Sequence, residues 1–76
     1  MSRIVVYTTL LCPYGLRARA LLASRGLPFE TIDVTRDIAK RQWLRETTGR
    51  TSVPQIFIDD KPIGGFSELR QLLGPP

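Results

Sequence analysis

Residues Ile4-Val5-Val6-Tyr7 are apolar in unbroken succession, three of them β-branched and the last aromatic, and Arg3 leads into them. Such a run predicts a central strand over Arg3–Tyr7 covered on both faces, because a half-exposed strand would alternate apolar and polar positions. The period then changes. From Pro13 to Arg25 the apolar positions Ala18, Leu21 and Leu22 recur at spacings of three and four, with Pro13 suited to a first helical turn and Gly26 to a C-terminal cap. Phe29 to Val34 predicts a second strand. Strand, helix and strand within about thirty residues predict a right-handed βαβ unit with parallel strands.

The second half carries weaker signals. Asp37 to Thr48 predicts a helix ended by Gly49, with a sparse apolar face: Ala39 and Trp43 lie one turn apart and Leu44 sits beside them. Pro54-Gln55-Ile56-Phe57-Ile58, then Asp59-Asp60-Lys61 and Pro62-Ile63, predict a hairpin whose second arm is an edge strand, since Pro62 has no N–H to give a ladder. Gly64-Gly65 is expected to break the pairing. Ser67 is expected to cap a final helix with Leu69, Leu72 and Leu73 facing inward, and Gly74-Pro75-Pro76 to fray. The order is βαβαββα.

Composition narrows the chemistry. Seventy-six residues predict one domain, 1–76, and one cysteine with no histidine allows neither an internal disulfide nor a metal ligand set, so no metal is expected. Met1-Ser2-Arg3 leads into only four apolar residues, which does not read as a signal peptide, and no apolar stretch approaches membrane-spanning length. The expectation is a cytoplasmic protein with no membrane partner. Net charge is +4, but the basic residues spread from Arg3 to Arg70 without an aromatic-studded basic run, which argues against nucleic acid. The charge is read as favouring small anionic ligands or as a plain solvated surface.

The lone thiol, Cys12, lies in Leu10-Leu11-Cys12-Pro13-Tyr14-Gly15, between the first strand and the first helix. A lone cysteine in an arbitrary place is most often an inert, buried small hydrophobe. Here Pro13, Tyr14 and Gly15 punctuate a loop-to-helix junction, and a partly exposed cysteine at a helix start tends toward the thiolate, because the first-turn dipoles and N–H groups favour negative charge. The chain reads as a thiol enzyme built around one sulfur.

Cys12-Pro13-Tyr14 after the first strand, Thr51-Ser52-Val53-Pro54 before the third, and Gly64-Gly65-Phe66-Ser67-Glu68 before the last helix, in that order and spacing, resemble the glutaredoxin family over nearly the whole chain. The resemblance implies a thioredoxin-like α/β fold, βαβαββα, with a four-stranded mixed sheet and helices on both faces. It also implies glutathione as cosubstrate, and as partners glutathionylated proteins or small mixed disulfides, reduced by a monomer.

Site residues follow from the same resemblance. Catalysis falls to Cys12, and glutathione binding to Tyr14, Arg41, Ser52, Val53, Pro54, Gly65, Phe66 and Ser67. A cis Val53–Pro54 bond against the cysteine would turn the Val53 backbone toward the sulfur, where glutathione pairs with it as an added strand. The N–H groups of Phe66 and Ser67 suit the γ-glutamyl carboxylate, although the same segment also serves as a plain turn and cap. Arg41, eleven residues before Ser52, stands where the family places a Gln or basic side chain facing the glycine carboxylate; an exposed helix-face arginine is the other reading. Tyr14 either covers the ligand's stem or plugs the loop. Arg17 either adds positive field near the sulfur or points to solvent, and Glu68 either approaches the γ-glutamyl ammonium or only favours the helix dipole. Lys40 has no assigned role.

Two positions depart from the family. Gly15 stands where dithiol members carry their second cysteine, which leaves the monothiol route, and Thr9 stands where a lysine is common. The alternatives are a [2Fe–2S] carrier, as in monothiol relatives that share a cluster between two subunits with Cys-Gly-Phe-Ser sites, and a domain that binds glutathione or a protein without turnover.

Overall fold

The computed structural model describes residues 2–74, so Pro75 and Pro76 of the expected frayed tail lie outside it. Four strands and three helices alternate as β1 (Ile4–Thr8), α1 (Pro13–Ser24), β2 (Glu30–Asp33), α2 (Ile38–Thr48), β3 (Gln55–Ile58), β4 (Lys61–Gly64) and α3 (Phe66–Leu73). The sheet order is β2-β1-β3-β4. β1 pairs parallel with β2 and antiparallel with β3, and β3 pairs antiparallel with β4. This is the predicted mixed sheet.

Strand alternation divides the core in two. Ile4 and Val6 of β1 and Ile56 of β3 pack with Ala18 and Leu22 of α1 and Leu69 of α3. Val5 and Phe57 face the other way, onto Leu44 of α2 and Val34. A strand buried on both faces has no polar positions to alternate with, which is why β1 reads as an unbroken apolar run. The sparse apolar face of α2 has a cause as well. Leu44 is its one fully buried side chain, while Trp43 stacks on Phe57 at 5.5 Å and lies 5.5 Å from the Tyr7 ring, covering the sheet with one large side chain. Lys40 lies over the outer face of Trp43, 5.3 Å from the ring centre.

Four local expectations are corrected. Gly64 does not break the hairpin: it pairs with Ile56 as the last residue of β4, at φ 110°, which a glycine adopts without strain. Ser67 is not the cap of α3, because extended Gly65 takes that place, so Ser67 lies in the first turn and no side chain caps the helix. Leu72 is 60% exposed instead of inward, while Leu69 is buried. Gly74 does not hang free, since its N–H donates to Arg70 O and its carbonyl accepts from Arg25. At the start of α2, Asp37 caps the helix by accepting from the Lys40 N–H at 2.9 Å.

Candidate active site

Chain direction places the thiol. β1 is central, so its C-terminal end opens in the middle of one sheet edge, and α1 begins there after a short loop. Cys12 is the N-cap of α1, half-buried, and its Sγ accepts the Gly15 N–H at 3.3 Å. The sulfur thus takes the place of a serine or aspartate oxygen at a helix start, where first-turn N–H groups lack intrahelical partners. On its other side the thiol donates to Val53 O at 3.4 Å. The Val53–Pro54 bond is cis, and the Val53 carbonyl faces the sulfur, paired with it where the sequence suggested an unpartnered group.

Gly15 is buried, and its contacts show why no side chain stands there. A Cβ on Gly15 would run into Thr8 Oγ1 and lie 3.1 Å from Thr8 Cβ and 3.5 Å from Cys12 Cβ. Thr8 is itself 4% exposed. The sequence singled out Gly15 as an absent cysteine and overlooked Thr8, which has no periodic signal of its own.

The segment leading to Pro54 is fastened from below. Gln55 is 1% exposed, and its Nε2 donates to Ser52 O at 2.9 Å and reaches Ser52 Oγ at 3.4 Å. Its Oε1 has no partner among the described residues. A buried amide one residue past the proline closes the loop Ser52-Val53-Pro54-Gln55 on itself and holds the Val53 carbonyl toward Cys12. The signal was present in the sequence as one polar residue opening an otherwise apolar strand.

Beside Val53 lies a groove of about 430 Å³ lined by Ser52, Val53, Ile38, Arg41, Arg45 and Arg50, among others. Arg41 is exposed on α2 and lines this groove together with Ser52 and Val53, and Arg45 and Arg50 line it as well. Arg50 is not wholly free, since it pairs with Glu68 of α3. That pair, aided by the backbone N–H groups of Glu68 and Gly65, holds the Glu68 carboxyl below its usual range. Glu68 is therefore engaged by Arg50.

The third predicted segment closes the site from the α3 side. A Cβ on Gly65 would lie 3.2 Å from Pro54 O, tighter than ordinary van der Waals contact, so glycine lets the start of α3 approach the proline loop. Gly65 is the N-cap, so Phe66 and Ser67 follow it as the first helical residues, whose N–H groups have no intrahelical acceptor. The Tyr14 ring lies 6.2 Å from the Phe66 ring, and the Arg17 guanidinium lies 5.2 Å from the Tyr14 ring centre. Tyr14, 54% exposed, does not plug the loop, and Arg17 lies against its ring. Phe66 and Ser67 also border a wide hollow between α1 and α3 with Leu21, Arg25 and Arg70. Among the described residues no group of three or more His, Cys, Asp and Glu side chains is placed to hold a metal ion, and no helix is long and apolar enough to cross a membrane.

Comparison with known proteins points one way. The family profile described as Glutaredoxin matches residues 4–63. Glutaredoxin 3 of Escherichia coli K12 is 44% identical over 72 residues, covering 95% of this chain and 87% of that protein. The glutaredoxin of Pseudomonas aeruginosa PAO1 is 39% identical over 72 residues, covering 95% and 86%. Among solved structures, a buckwheat glutaredoxin–glutathione complex superposes with a TM-score of 0.86 at 29% identity, over 92% of this chain and 66% of that one. A glutaredoxin from Brucella melitensis gives 0.81 at 39% identity, over 93% and 77%.

Proposed function

Since the chain belongs to the glutaredoxin family, whose members are glutathione-dependent redox proteins, we propose that it reduces glutathione mixed disulfides by a one-cysteine route at Cys12. The observation that carries this is the seat of the sulfur: a helix N-cap that accepts the Gly15 N–H at 3.3 Å and stands 3.4 Å from the Val53 carbonyl, a bond given up when the thiol ionises, with Thr8 filling the space where a second side chain would stand.

Glutathione is an extended tripeptide with a carboxylate at each end, and the site offers a partner to each part. Its cysteine backbone pairs with Val53 as a strand adds to an edge. Its γ-glutamyl carboxylate takes the N–H groups of Phe66 and Ser67, which have no intrahelical acceptor in the first turn of α3. Its glycine carboxylate meets Arg41 in the groove beside Ser52. Pro54 and Gly65 keep these parts at one spacing, and Tyr14 flanks the sulfur. This grip turns the glutathione sulfur toward Cys12 and fixes which sulfur of the mixed disulfide is attacked.

Two exchanges complete the cycle. The Cys12 thiolate attacks the glutathione sulfur, the bond between glutathione and the target breaks, and the target sulfur leaves with the electron pair and takes a proton. A second glutathione thiolate then attacks the glutathione sulfur on Cys12, which releases the Cys12 thiolate and glutathione disulfide. Glutathione is the reductant throughout. No internal disulfide forms, a monomer suffices, and a compartment that keeps thiols reduced, such as the cytoplasm, supplies the reductant.

The test is a coupled assay of glutathione-dependent reduction of the mixed disulfide between glutathione and 2-mercaptoethanol, run on the native protein and on Cys12→Ser. Turnover that disappears in the variant, with an unchanged circular dichroism spectrum, is the expected result. Turnover that persists removes Cys12 from the mechanism.

A further inference from the structure

The large apolar side chains left exposed on this molecule are concentrated in one place. Leu10 is 70% exposed, Leu11 92%, Tyr14 54% and Leu16 55%, so four of the seven such side chains among the described residues fall within residues 10–16, the segment that carries Cys12. Single exposed leucines are ordinary; a group of them around a nucleophile asks for an occupant.

The fold does not require them. The loop before α1 is held by its backbone: the Leu10 N–H donates to Thr35 Oγ1 at 3.2 Å and the Cys12 N–H to Thr9 O at 3.3 Å. Leu10 borders a hollow shared with Thr35, and Thr35 also lines the groove beside Val53, together with Ile38, which is 80% exposed. Leu10 and Leu11 therefore form an exposed apolar rim on the loop that ends at Cys12, next to a hollow whose other lining residues, Asp33, Thr35, Arg36 and Asp37, are polar. Glutathione does not account for Leu10 and Leu11, because its two carboxylates and peptide groups take the polar partners at Val53, Arg41, Phe66 and Ser67.

The geometry of exchange says what does. Displacement at a disulfide is in line, so when Cys12 attacks the glutathione sulfur the leaving sulfur lies beyond it, and the polypeptide that owns that sulfur is brought against the rim of the site. We infer that the Leu10–Leu11 strip docks the target polypeptide and selects segments with apolar side chains next to the glutathionylated cysteine. This rests on the reading of Cys12 as acceptor of the glutathionyl group. It divides the labour of the site: polar groups hold glutathione, and the leucines sort its carriers.

The experiment uses two glutathionylated peptides of equal length and charge, one with Leu and Phe flanking the cysteine and one with Ser and Gln, beside the mixed disulfide of glutathione with 2-mercaptoethanol. The rate at which the native protein acquires a glutathione adduct is followed by quenched-flow mass spectrometry, then compared with the double variant Leu10→Ser/Leu11→Ser. The expected preference for the apolar peptide is about tenfold, the scale of partial burial of one or two leucines, falling toward equality in the variant while its rate with the small disulfide is kept. Equal rates for both peptides in the native protein overturn the inference and leave the proposed activity standing. A concentration-dependent dimer that the double variant abolishes also overturns it, since the strip would then be covered by a second copy. No adduct from any of the three substrates removes the proposed activity, and the inference with it.

Discussion

Thr8 and Gly15 contend for one space: a Cβ on Gly15 would run into Thr8 Oγ1 and lie 3.1 Å from Thr8 Cβ, yet it would also lie 3.5 Å from Cys12 Cβ, within the span a disulfide requires. The position opposite Cys12 is well placed for a second sulfur and obstructed by a buried hydroxyl. Gly15→Ala in a helix gains at most about 1 kcal/mol from propensity, whereas overpacking costs about 1–3 kcal/mol, so the variant is expected to lose stability. Chemical denaturation of Gly15→Ala, Thr8→Ala and the double variant reads this directly. The expected cycle is strongly non-additive, with Thr8→Ala relieving part of the loss; simple additivity contradicts the contact.

The same pair governs Gly15→Cys. Alone it is expected to fold less stably, and on oxidation to bond to Cys12; combined with Thr8→Ala it should recover stability and close that bond more readily. Resolution by the new thiol releases glutathione from Cys12, so reduction of mixed disulfides falls and reduction of dithiol targets rises. Both activities, measured in one glutathione buffer, check the exchange of routes.

Arg41→Ala is expected to raise KM for glutathione about three- to tenfold with little change in kcat, because a grip on a remote carboxylate is equal before and during sulfur exchange. Arg45 and Arg50 line the same groove and limit the loss. Raising the salt concentration should shrink the difference between variant and native protein, since these side chains are exposed and screened. An unchanged KM places Arg41 on the surface only.

Ser67→Ala separates ligand contact from capping. The hydroxyl is not the cap of α3, so stability is expected to change by less than about 0.5 kcal/mol, where loss of a cap would cost about 0.5–2. A rise in KM for glutathione at unchanged stability supports the γ-glutamyl site. A loss of stability would restore the capping role.

Glu68 carries a pH dependence. Its carboxyl is depressed in the folded protein, first by Arg50 and then by backbone N–H groups, below an ordinary value of 4.5. The stabilisation is therefore present above pH 4.5 and is lost as the pH falls through the lower folded value. Glu68→Gln should lower stability at neutral pH and flatten the acid side of the curve. Thermal melts of both proteins in steps from pH 7 to pH 3 measure it; parallel curves mean that the Arg50 pair contributes nothing.

The parts of this molecule that were legible in the sequence are those written locally. The apolar run of β1, the spacing in α1, and the place of Cys12 between them need only neighbouring residues. Arg41 was singled out by the resemblance to the family, and it lines one groove with Ser52 because one loop joins α2 to the proline segment. What stayed hidden depends on contacts between distant elements. Arg50 and Glu68 meet across 18 positions, and nothing periodic links them. The start of α3 was misplaced by two residues because Ser67 is a strong capping type, whereas the backbone of Gly65, close to Pro54, decided the matter. Leu10 and Leu11 sat in view beside the cysteine, but only their exposure, with the loop held by its own backbone, shows them to be surplus to the fold.

The central claim is that one sulfur carries the glutathionyl group between donor and reductant. Quenching the native protein during turnover of a glutathione mixed disulfide and weighing it intact tests this most directly. The expected result is a population carrying one glutathione, bonded at Cys12 and discharged by added glutathione at the rate of turnover. Steady turnover with no such adduct, or an adduct that glutathione discharges far more slowly than the enzyme turns over, would contradict it.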